Sequence, residues 1–235
     1  VLDAPLAALA WLGLERGVPV LVAGRDRAAR AALGDALVGA LPDDRRPGTA
    51  PGGDRLVRVA GTVDAATPAG VLRAALAATT GRSGLLATLD AADLAGVLDL
   101  LARQGLTADE ASFLGIVLVV GGSANSPGDG PAFDEPAGDE DAADHDPARV
   151  RIAHYLRPVA RDAGGHTRRL GPAVLAAWDE ATGRWEDFAW GISPDLAERC
   201  RMRAGDFEAE VARRAAELAA AAGVPADRTG GAPVG

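Results

Sequence analysis

The residues best placed to do chemistry lie in the stretch 20–33, V-L-V-A-G-R-D-R-A-A-R-A-A-L: a buried-strand run, a sharp turn, then a helical run. Where a strand turns into a helix in this way, backbone N–H groups at the helix start can cradle an anion. The phosphate-binding pattern for that place is G-x-x-x-x-G-K-[ST]. Laid on it, Gly24 keeps the first glycine, Ala29 stands for the second, Arg30 for the lysine and Ala31 for the hydroxyl residue. All 24 basic residues of the chain are arginine, so no position offers the lysine. Arginine keeps the charge, but its planar fork does not replace a compact ammonium. Alanine at 31 removes a magnesium ligand. Gly24, Ala29, Arg30 and Ala31 therefore read as vestigial nucleotide-binding positions, with weak grip or none. The bland reading of Arg25, Arg27 and Arg30 is a solvated turn and helix face.

Around this turn the periodicity alternates strand and helix. A helix over 4–17 carries Trp11, and a strand over 18–23 precedes the turn. The next helix, over 28–40, is stopped by Leu41-Pro42. A second strand follows over 55–60. Thr67 is placed as an N-cap with Pro68 opening a helix to about Thr79. A third strand spans 84–89, and Asp90 or Asp93 opens a helix to about Gln104. Thr107-Ala-Asp-Glu110 reads as a capping box, before a fourth buried strand over 113–120. This alternation predicts an α/β doubly wound parallel sheet for residues 1–123.

Residues 124–148 then carry eight acidic residues and no arginine, which predicts a disordered, solvated insertion. A metal reading of Asp139, Glu140, Asp141, Asp144, His145 and Asp146 lacks the spacing and turn glycine of a calcium loop. Residues 149–223 are expected to complete the same domain. Strands alternate over 150–161, 173–179 and 184–190, with a hairpin turn at 179–183. Trp178, Trp185, Phe188 and Trp190 read as hairpin core. Ser193 and Asp206 are placed as caps of two closing helices, and 224–235 as a flexible tail.

Composition excludes several function classes. A net charge of −9 argues against nucleic acid or anionic lipid as a partner. No apolar run reaches the roughly 18 residues of a membrane span, so no direct membrane insertion is expected. The start lacks a charged n-region and a cleavage signal; no secretory peptide is expected, and Val1 suggests an omitted upstream part. Cys200 stands alone and reads as a packing residue. His145, His154 and His166 accompany no nucleophile motif.

The most specific segment is residues 61–93, G-T-V-D-A-A-T-P-A-G-V-L-R-A-A-L-A-A-T-T-G-R-S-G-L-L-A-T-L-D-A-A-D. It resembles the block shared by the hexameric ATPases of type II and type IV secretion, type IV pili and archaeal flagella. In that family a strand ends in G-E-[IV]-R, followed by D-x-E-T, a helix, T-G-H and T-[LV]-H-A. Gly61, Val63, Ala69, Thr80, Gly81, Thr88, Leu89 and Ala91 stand where that pattern expects them, and Arg82 holds the first histidine's place. The lead-in helix with Trp11 and the phrase W-D-E-A-T-G-R-W-E-D-F resemble the archaeal branch. The departures fall on the chemistry. Thr62 replaces the glutamate that activates water, Asp64 reverses an arginine, and Asp90 replaces the His-box histidine. Ala65, Thr67 and Pro68 erase D-x-E-T. Only about 37 residues separate Gly24 from Gly61, so the family's intervening strands are missing.

The resemblance implies a RecA-like P-loop NTPase-type sheet, a β-hairpin-rich segment and C-terminal helices. It implies no catalytic residue, since Thr62 and Asp90 are degenerate, and no metal site. No cofactor is expected, with ATP and Mg required only if the chain hydrolyses ATP through non-standard residues. The implied partners are copies of itself, or motor and membrane-platform subunits of a secretion or pilus machine, at a cytoplasmic location peripheral to the membrane. An unrelated α/β binding module is the further alternative.

Overall fold

The computed structural model describes residues 2–46, 56–79, 83–121, 149–161, 167–168 and 170–223. The acidic insertion, its metal reading, His145, His166, the stretch Thr80-Gly81-Arg82 and the tail lie outside the described residues.

The chain begins with helix α1 (Ala4–Glu15), strand β1 (Val20–Gly24) and helix α2 (Arg27–Ala40). Strand β2 (Leu56–Val63), helix α3 (Val71–Ala78), strand β3 (Gly84–Asp90), helices α4 (Leu94–Arg103) and α5 (Ala108–Ser112) and strand β4 (Ile116–Gly121) follow. The second half holds β5 (Arg149–Tyr155), the short β6 (Ala160–Arg161) and β7 (Thr167–Arg168), then β8 (Ala173–Asp179) and β9 (Arg184–Asp187). Helices α6 (Ser193–Arg199) and α7 (Ala204–Ala221) close it.

Seven strands form one sheet in the order β2-β3-β1-β4-β5-β8-β9, and β6 pairs only with β7. The first four strands are parallel, as the alternation predicts. The last three run antiparallel, so the sheet as a whole is mixed rather than parallel. The α/β class holds.

β1 sits inside the parallel part because its five residues are aliphatic or small and can be buried on both sides. Its side chains divide two cores by the strand period. Val20 and Val22 join α1, α2, α6 and α7 on one face, whereas Leu21 and Ala23 join α3, α4 and α5 on the other. Gly24 is fixed by close approach: a Cβ there would stand 2.5 Å from the Val120 carbonyl oxygen.

α1 is apolar almost all round and is held between the sheet and α7. The clamp is Arg214, which is 5% exposed. Its Nη1 donates to Glu15 Oε2 at 2.8 Å and its Nε to Glu210 Oε1 at 2.8 Å. The guanidinium also lies 4.3 Å over the Trp11 ring. Glu210 is held down to about 2 by hydrogen bonds from Arg213 first and Arg214 second.

Several local expectations are corrected. Thr67 does not cap α3: its hydroxyl donates to Asp64 Oδ1 at 2.9 Å and closes a turn, and the helix starts at Val71 behind Gly70. Gly70 adopts φ 91°, which an L side chain disfavours. The fourth strand starts at Ile116, because α5 and Phe113 take up the residues before it. Asp93, not Asp90, caps α4, accepting from the Gly96 N–H at 2.8 Å. The capping box at Thr107 and Glu110 forms as read. Ser193 lies inside α6 and Asp206 inside the first turn of α7; Ile192 and Arg203 hold the cap positions. The hairpin turn 179–183 is present, with Trp178 and Trp185 stacked edge to face at 5.8 Å. Phe188 and Trp190 are exposed rather than core, because β9 ends at Asp187 and a 3-10 turn carries them outward.

Arg214→Ala is expected to lower stability by about 3 kcal/mol, since the partly buried Glu15 carboxylate then loses its partner. Arg214→Met combined with Glu15→Gln should recover most of that loss in urea denaturation, because no charge is then stranded.

Candidate functional site

In an open α/β sheet the ligand crevice forms at the carboxyl ends of two neighbouring strands whose following helices leave to opposite faces. β1 and β3 meet that condition here: α2 follows β1 on one face and α4 follows β3 on the other. Gly24 and Asp90 are register partners at the two strand ends. The structure thus brings Gly24, Arg30 and Asp90 together at one locus.

The turn that should cradle phosphate is only Arg25-Asp26, because β1 ends at Gly24 and α2 begins at Arg27. Asp26 is the N-cap, and its Oδ1 accepts from the N–H groups of Ala28 at 2.8 Å and Ala29 at 3.0 Å. These are donors that an external anion would need. A carboxylate of the chain itself takes them. The sequence carried a signal for this, an Asp directly before the helical run, but the glycine-lysine pattern drew the reading past it.

Arg30 does not lie on a solvated face. It is 3% exposed, and its Nη1 donates to the Gly24 carbonyl and, at 3.1 Å, to Asp90 Oδ1. The guanidinium therefore ties α2 to the ends of both strands, while its Nε is left without a partner. Arg25 and Arg27 remain exposed, as does Ala31, and Ala29 is half-buried.

Thr62 sits beside Thr88 in the β2–β3 register, their hydroxyl oxygens 3.5 Å apart. Thr88 donates to the Gly61 carbonyl at 3.1 Å. No acid stands at this position to activate water. Asp64 is occupied locally: hydrogen bonds from the Thr67 hydroxyl first, and from nearby N–H groups, hold its carboxyl below the usual range.

Beside the strand ends a crevice of about 290 Å³ is lined by Arg25, Ala65, Asp90, Asp93, Asp99 and Arg103, among others. Its charges are of both signs and its space is small, so it suits a small polar species better than a nucleoside. Among the described residues no group of three or more His, Cys, Asp or Glu is arranged to hold a metal.

A larger cleft, of about 790 Å³, lies elsewhere and shares no lining residue with the Gly24–Ala31 turn. It runs between α1, α7 and the β8–β9 hairpin, and no motif in the sequence pointed to it. Cys200 is buried and its thiol is pushed up to about 12 by that burial, which disfavours the thiolate. His154 is on β5, half-buried, and burial lowers its pKa. No described helix is long and apolar enough to cross a membrane. Compared with known proteins, the chain matches no family model, and a search of curated proteins finds no match.

Equilibrium denaturation should separate the roles at the turn. Arg30→Ala is expected to cost about 2–3 kcal/mol, as a buried charged donor is lost and the Gly24 carbonyl is left unmet. Asp90→Ala should cost about 3 kcal/mol, since it leaves the buried Arg30 guanidinium without its carboxylate. Asp26→Ala should cost about 1 kcal/mol, as for an ordinary N-cap.

Proposed function

We propose that the chain is a degenerate relative of the secretion and pilus-assembly ATPases that has lost hydrolysis and serves as a structural or regulatory subunit. On this reading it works in the cytoplasm by assembling with an active motor, a membrane-platform subunit or copies of itself. ATP and magnesium are not its cofactors. The single observation that carries the reading is the two-residue turn, with Asp26 on the helix N–H groups and Arg30 turned inward onto Gly24 and Asp90. Phosphoryl transfer depends almost wholly on positioning and charge, and here both are directed at the chain itself.

One observation favours a second reading, an unrelated α/β binding module: a large, mainly apolar cleft shares no lining residue with the turn. A binding module would use that cleft and leave the strand ends as plain scaffold.

Magnesium and ATP together are expected to produce no thermal shift and no phosphate release above blank. An active motor with Arg25, Arg27 and Arg30 on the phosphates and Asp64, Asp90 or Asp93 on magnesium would give both signals, and would lose them in Arg30→Ala or Asp90→Ala. Co-purification of the chain with a motor or platform subunit distinguishes the degenerate subunit from the binding module.

A further inference from the structure

We propose that the cleft between α1, α7 and the β8–β9 hairpin is a binding site for an apolar organic ammonium ion. The cleft's volume, about 790 Å³, falls within the range of small-molecule sites. Its floor is apolar: Leu6 and Leu9 of α1, and Leu175 of β8. α7 lines one wall chiefly with alanines, from Ala212 to Ala220, which cover the helix without filling the space.

The charged groups that line it all have one sign. Asp3, Asp187 and Glu208 are its ionisable residues, and no arginine contributes. Asp3 precedes α1 without capping it by its side chain, and no ion pair reaches Asp3 or Asp187 among the described residues. Asp187 is fixed by accepting the Ala189 N–H at 2.8 Å. Asp3 has its pKa raised, by burial first and by the Asp187 charge as well. The Asp187 charge thus acts on the half-buried Asp3 across the cleft; each carboxylate accepts a backbone N–H, from Ala189 and Ala4 respectively, and no guanidinium pairs with either among the described residues. Trp190, 80% exposed, lines the same cleft. An indole beside carboxylates is the composition that recognises ammonium groups, and the alanine wall accepts the apolar body. An anionic or neutral ligand would leave the repulsion in place.

The site deepens the binding-module reading, and its residues are separate from Arg30, so nucleotide titration and cleft titration fail independently. The probe is octyltrimethylammonium below its micellar concentration, compared with 1-octanol by calorimetric titration. One-to-one binding at least about tenfold tighter for the ammonium is expected. Asp3→Asn with Asp187→Asn should abolish that preference and, unlike the loss of a structural residue, raise the melting temperature of the free protein. Trp190→Ala, at an exposed position that folding does not need, should also reduce the preference. Equal binding of octanol would overturn the site, as would a preference that survives these substitutions. A basic amphipathic peptide saturating the cleft where the small ammonium does not bind would also overturn it, and identify a protein-docking groove instead.

Discussion

A buried guanidinium cannot be left without acceptors, and Arg30 takes the two that the sheet presents at its central crevice. Much of the carboxyl edge follows from that demand. To reach the Gly24 carbonyl, α2 must start close behind β1, which leaves room for only two residues in the turn. A turn that short cannot wrap an anion, so the helix N–H groups need another partner, and Asp26 supplies it. Asp90 then faces a cation of the chain itself rather than a ligand. The strand ends are closed by their own charges.

This closure also explains why a lysine would not serve at position 30. An ammonium is compact and strongly hydrated, whereas the planar fork can serve a carbonyl and a carboxylate on different strands at once. Read in sequence, arginine here seemed a weakened phosphate ligand. In the fold it is a strut, and its loss of solvent contact is the difference between the two roles.

The parallel half of the sheet was legible because its signals are local and redundant: aliphatic runs at β1, β3 and β4, with helical periodicity between them. The capping box at Thr107 was legible for the same reason, since Thr107 and Glu110 need only each other. Thr67 misled because threonine before proline also suits a turn, and Asp64 three residues back competed for its hydroxyl. Phe188 and Trp190 misled because alternation continued on paper past Asp187, where the strand loses its partner. Arg30 was visible as a position but not as a buried one. Burial depends on Asp90, 60 residues away, and no local pattern reports that pairing.

The large cleft was invisible in sequence for a different physical reason: it is made by what α7 lacks. Phe207 and Arg214 anchor that helix, one to the core and one to α1 through Glu15 and Trp11. The alanines between and beyond those anchors hold the helix at its distance without occupying the space beneath. Alanine is the best helix former and contributes little volume, so a run of it reads simply as helix. Leucines at the same positions would bury more apolar surface and would favour stability by filling the gap. That the wall is alanine, while like-charged carboxylates and an open tryptophan share the cleft, is a departure from the stability optimum. Such departures gather where proteins bind or react.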